Sequence, residues 1–142
     1  MTGARPWAAA GLVLVAGLLA IGPATAQSER TFDTVAGQAI VVGLHPSVKD
    51  DCSRGPLVEI VIASSPRNGA VAVQGVRIAV EGVATCPPIE ATARRVVYRP
   101  ELTFSGTDRF SYRTTDYLGR VKLHAITILV KPRGKRRFDD QT

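Results

Sequence analysis

Four side chains in this sequence belong to the types that chemistry recruits most readily: Cys52, Cys86, His45 and His124. A redox pair needs the Cys-x-x-Cys spacing, and a structural zinc site draws its four ligands from closely spaced pairs. Neither condition is met by two cysteines 34 positions apart and two histidines. The simpler reading is one disulfide formed in an oxidising compartment. It would close a loop of 35 residues counting both ends, for which chain entropy gives about 3.5–4 kcal/mol. Acyl transfer needs a nucleophile, a base and an orienting acid. His45 precedes Pro46, and no Gly-x-Ser-x-Gly surrounds any serine. Both histidines are therefore expected at exposed or rim positions.

Other chemistries find less support. Asp50-Asp51 and Asp139-Asp140 are the only adjacent acidic pairs. A calcium ion wants six or more oxygens, so no metal site and no cofactor is expected. Gly-x-x-x-x-Gly-Lys and Gly-x-Gly-x-x-Gly are both absent, which removes the usual phosphate cradles. A small chain with 6% aromatics has little room for a sugar-cleaving cleft. The one charge concentration is at the end: Lys131, Arg133, Lys135, Arg136 and Arg137, offset by Asp139 and Asp140. That segment suits weak contact with an anionic surface, although a solvated tail is the plainer reading.

The elements that must position these residues begin with an export segment. Arg5 and the amino terminus precede an apolar run at 8–21, Gly22-Pro23 breaks it, and Ala24-Thr25-Ala26 makes a cleavage site before Gln27. Residues 1–26 thus read as a signal peptide. Fourteen apolar residues are short for a span of about 20, and no second apolar run follows, so no transmembrane segment is expected in the mature chain. Removal of 26 of the 142 residues leaves 116, with 17 basic and 12 acidic groups. A domain that size buries roughly 65% of its unfolded surface, enough for one core.

Between 27 and 131 the apolar period is two, the signal of strands. Ile40, Val42 and Leu44 alternate, as do Val58, Ile60 and Ile62. Val71 and Val73 follow the turn pair Asn68-Gly69, and Gln74-Gly75 reads as a reversal into Val76, Ile78 and Val80. Val96 and Tyr98 alternate up to Pro100, and Phe110, Tyr112 and Thr114 share one face. In 121–130 the parity is mixed, which calls for either a bulge near Ala125 or burial on both faces. No helical stripe occurs, so the expected class is an all-β, antiparallel sandwich of seven or eight strands. Residues 132–142 are expected to form a basic, disordered tail.

One stretch, VVYRPELTFSGTDRFSYRTTDYLG at 96–119, resembles the bacterial immunoglobulin-like, cadherin-like repeats of exported and surface proteins. The residues that carry the resemblance are Tyr98, Pro100, Phe104, Gly106, Asp108, Phe110, Tyr112, Asp116 and Gly119. Upstream, SSPRNGAVAV and TFDTVAGQAIVVGL are similar to the family's earlier strands. The resemblance implies an immunoglobulin-like sandwich, and the physics of these positions is that of a fold. Phe110 and Tyr112, two apart, face one core, where Tyr98 and Phe104 meet them. The Tyr112 hydroxyl needs a partner, much as in a tyrosine corner. Gly106 suits a left-handed turn, in which Asp108 can accept main-chain N–H groups. Asp116 and Gly119 frame the last hairpin.

Together these readings imply an exported, periplasmic or extracellular, non-enzymatic module. Its partner would be an envelope or extracellular protein or a polysaccharide, met through sheet edges or loops, with nucleic acid disfavoured. The competing readings are a small secreted enzyme or enzyme inhibitor using the tethered loops, and a polyanion binder acting through the tail.

Overall fold

The computed structural model describes Gly3 and residues 26–81 and 86–134. The apolar run of the expected signal peptide lies outside the described residues, as do Lys135, Arg136 and Arg137 of the tail. Among the described residues seven strands follow one another: β1 (Ala26–Val35), β2 (Ile40–Pro46), β3 (Glu59–Ser64), β4 (Gly69–Val80), β5 (Ile89–Pro100), β6 (Gly106–Thr115) and β7 (Val121–Lys131). They form two sheets, ordered β1-β7-β6-β3 and β2-β5-β4, and no helix occurs among the described residues. The all-β expectation holds. Antiparallel pairing holds for four of the five strand pairs, whereas β1 runs parallel to β7.

One core cluster joins the two sheets. Val42, Val96 and Tyr98 come from one sheet, and Phe110, Tyr112, Ile126, Ile128 and Val130 from the other. Phe32, Ile60, Ile62, Val71 and Phe104 pack on its margin. The alternation on β6 places Asp108, Phe110, Tyr112 and Thr114 all inward, as a pleat of period two demands.

Three local expectations are corrected. On β2 the pairing with β5 slips between Val41 and Gly43. Val42 is the extra residue of this bulge, so parity inverts after it. Gly43 and His45 turn inward, while Leu44 is left 47% exposed. On β7 the register against β6 is unbroken from Val121 to Val130, so no bulge occurs at Ala125. The inward set is His124, Ile126, Ile128 and Val130; Leu123, Ala125 and Leu129 lie on the outer face.

Third, Gln74-Gly75 makes no reversal, because β4 continues through it for 12 residues in unbroken register with β5. Val71 and Val73 turn inward before that point, and Val76, Ile78 and Val80 after it. β5 changes parity opposite, at Arg94-Arg95. The two strands therefore turn over together. The last β2–β5 pair is Pro46 with Ala93, so the ribbon beyond it has only two strands, and two-stranded ribbons twist most. The loop after β2 lies against this end through Ser47 N–H to Thr92 O at 2.9 Å and Arg54 Nε to Glu90 O at 3.0 Å. Cys52 and Cys86 are joined there, with Cα atoms 5.4 Å apart.

Candidate functional site

An aromatic column runs along the interior between the sheets. Tyr98 and Phe110 stack with ring centres 5.8 Å apart, Phe110 and Tyr112 at 6.4 Å, and Tyr112 and His124 at 4.6 Å. His45 closes the column edge-on, 5.6 Å from Tyr112 and 5.1 Å from His124. Its middle is apolar and its two ends are polar, because β6 begins its inward row with Asp108 and ends it with Thr114.

At one end Asp108 is buried and saturated with donors. Its Oδ1 accepts the main-chain N–H groups of Arg67 at 3.0 Å and Arg109 at 2.9 Å. Its Oδ2 accepts Asn68 N–H at 2.9 Å and the Tyr98 hydroxyl at 2.8 Å. Burial pushes the carboxyl up, but these four bonds outweigh it and hold the group below the ordinary aspartate range. Burial, reinforced by the Asp108 contact, raises the Tyr98 phenol. One of the main-chain partners, Arg109 N–H, lies in the turn where the sequence places them; the other two, Arg67 and Asn68, belong to the β3–β4 connection, which Asp108 clamps. The side chain points across the sandwich, where two main-chain N–H groups need an acceptor.

At the other end five polar residues from four strands meet. Ser28 Oγ lies 3.1 Å from His124 Nδ1, and Thr114 Oγ1 lies 3.0 Å from Nε2. His45 Nε2 lies 3.0 Å from the Tyr112 hydroxyl. Ser28, His124 and Tyr112 are register partners on β1, β7 and β6, so a single cross-strand row assembles them. Gly43, at the β2 bulge, is what lets Tyr112 reach His45. A Cβ there would collide with the Tyr112 hydroxyl and stand 2.9 Å from His45 Nε2.

The expectation that both histidines sit at exposed or rim positions is thus corrected. His124 is buried and His45 half-buried. Burial, then the neighbouring His124, Lys122 and Arg30, lowers His45 to about 4. Burial, Lys122 and Arg30 lower His124 as well. Burial pushes the Tyr112 hydroxyl up to about 12. At neutral pH both imidazoles are therefore uncharged and hydrogen-bonded. Ser28 and His124 form a hydroxyl–imidazole pair, but the second ring nitrogen meets a hydroxyl rather than a carboxylate. The charged neighbours that act on the pair are cations, which oppose the imidazolium a general base must become.

The remaining sequence-derived positions fall as follows. Pro100 is buried at the end of β5, Phe104 packs on the core margin, and Gly106 and Gly119 take φ of 136° and 77°. Asp116 accepts Leu118 N–H at 2.9 Å and Arg120 N–H at 3.0 Å, and pairs with Arg120 Nε at 2.6 Å, closing the last hairpin. Lys131 and Arg133 are exposed, and Lys131 Nζ is 3.7 Å from Asp33. Among the described residues no group of three metal-ligating side chains occurs, nor any helix long and apolar enough to cross a membrane.

Among the described residues four strand edges are open: β1 and β3 on one sheet, β2 and β4 on the other. Charges, bulges, proline and short length are what protect an edge from pairing. β1 carries Glu29, Arg30 and Asp33. β2 has its bulge and Pro46, and β3 is six residues long with a register shift between Ile62 and Ser64. β4 has 12 residues, unbroken register and a single charge, Arg77.

No family model matches the sequence, and no curated protein matches it. Among solved structures, a 2,6-sialyltransferase from a Photobacterium species, bound to CMP and lactose, shares 7% identity at a TM-score of 0.39. The match covers 78% of this chain and 19% of that one, and a likeness this slight carries no functional argument.

Proposed function

We propose that this chain is an exported, non-enzymatic module of immunoglobulin-like, cadherin-like type that binds a protein of the envelope or extracellular space. The strand orders support the fold reading. With strands lettered A to G, β2-β5-β4 runs B-E-D and β3-β6-β7 runs C-F-G, the orders in which the constant-type immunoglobulin arrangement sets those six strands. The first strand departs from that arrangement by joining β7 in parallel. Export draws support from the apolar run at 8–21 with its cleavage site and from the Cys52–Cys86 bridge, which persists in oxidising compartments.

The observation that carries the binding role is the open edge of β4. Among the described residues, its 12 residues offer unpaired main-chain groups along one side, with a single charge and neither a bulge nor a proline to protect them. A partner strand added there would extend the β2-β5-β4 sheet. The test is capture from the cell envelope by the immobilised protein, followed by hydrogen exchange on the complex. Protection of the β4 amides is expected. A partner that protects other residues and leaves β4 exchanging freely moves the interface elsewhere, and failure to capture any partner removes the binding role.

A further inference from the structure

A second surface feature sits at the Asp108 end. A cleft of about 610 Å³ opens between the β3–β4 connection and the start of β6, lined by Ser64, Ser65, Arg67, Asn68, Thr107 and Arg109 together with the buried Asp108. Every one of these residues is polar. Asp108 is the one carboxylate, and its oxygens are already occupied by four internal donors. What the cleft offers outward is therefore rich in donors: two guanidinium groups, which only donate, with an amide and three hydroxyls, which also accept. Neither arginine is among the ion pairs formed by the described residues.

The two arginines are held near one another by the same atom. Both main-chain nitrogens donate to Asp108 Oδ1, at 3.0 and 2.9 Å, which keeps them within about 6 Å of each other. Asp108 is in turn fixed by Tyr98, at the start of the aromatic column. The main chains of both arginines are thus fixed at one concavity on a rigid base, which lowers the ordering cost of binding an opposite charge there.

We propose that this cleft is an oxyanion site that takes a carboxylate or phosphate group of a larger ligand. A guanidinium fork matches either group with two parallel hydrogen bonds. The volume lies in the range of small-molecule sites and exceeds what a single inorganic ion needs. The site deepens the binding-module reading and takes its biological role from it, but the two fail separately. Partner capture that survives loss of both arginines leaves the module standing without the cleft.

The test is a residue-resolved NMR titration of the purified protein with citrate and, separately, with inorganic phosphate, against chloride at matched ionic strength. Saturable shifts are expected at the amides of Arg67, Asn68, Thr107 and Arg109. Stronger saturation by citrate assigns a carboxylate ligand, and stronger saturation by phosphate a phosphorylated one. Arg67→Gln with Arg109→Gln should weaken binding about ten-fold or more. Both side chains are exposed, and the main-chain bonds to Asp108 do not depend on them, so the Tyr98 environment serves as the folding control. Arg109→Lys, which keeps the charge and loses the fork, should weaken binding several-fold. Absence of saturation, or an unchanged affinity in the double variant, overturns the proposal.

Discussion

Acidification from about pH 7 to about pH 5 should destabilise this protein through its paired imidazoles. His45 titrates at an ordinary 6.5 when unfolded and at about 4 when folded. Between those values the unfolded chain holds the extra proton, so stability falls as pH falls. The full gap is worth at most about 3 kcal/mol, and because solvent screens the half-buried ring the loss by pH 5 is about 1 kcal/mol. His124, lowered by burial, Lys122 and Arg30, acts in the same direction. Protonating either ring places a cation 5.1 Å, centre to centre, from the other, beside Arg30 and Lys122. Asp108 does not blur this window. Its folded value is depressed, so its contribution persists until the pH drops through the ordinary carboxylate range, below the histidine window. The assay is urea unfolding at pH 7, 6 and 5 on the wild type and on His45→Gln with His124→Gln. A wild-type stability that is flat across this range, or an equal slope in the double variant, would refute the assignment of the acid sensitivity to these rings.

Other perturbations address the rest of the interior. Tyr112→Ala should cost about 3–5 kcal/mol in denaturant unfolding, and Tyr112→Phe about 1 kcal/mol through loss of the His45 bond. Asp108→Ala should cost about 3 kcal/mol or more, because it strands the Tyr98 hydroxyl and the Arg67 and Asn68 N–H groups in a buried site; a loss below about 1 kcal/mol would show that water replaces the carboxylate. Gly43→Ala should lower stability by about 1–3 kcal/mol through the collision with Tyr112, and Gly75→Ala, which meets open space, serves as its control. Cys52→Ser with Cys86→Ser should cost about 3.5–4 kcal/mol by thermal or denaturant unfolding, with loosening confined first to the loop after β2.

The strand content was readable because a pleat advertises itself as alternation. Val96 and Tyr98, and Phe110, Tyr112 and Thr114, bury the residues that their parity assigns. The turn residues Gly106, Asp116 and Gly119 were equally legible, since positive φ and Asx bonding are properties of the residue type. The cysteine pair followed from counting. What alternation cannot report is where parity changes. Val42 shifts the register of β2, and Gln74-Gly75 opposite Arg94-Arg95 turns a two-stranded ribbon over; each depends on the neighbouring strand. His124 carried a signal, the even parity it shares with Ile126, Ile128 and Val130, but a polar ring enters a core only when partners await it. Those partners, Ser28, Thr114 and the stacked Tyr112, are distant in the chain. The same holds for Arg67 and Arg109, brought together by one oxygen of Asp108. Local chemistry is written residue by residue, whereas the satisfaction of buried polar groups is a property of pairs, and only the packed sheets choose the pairs.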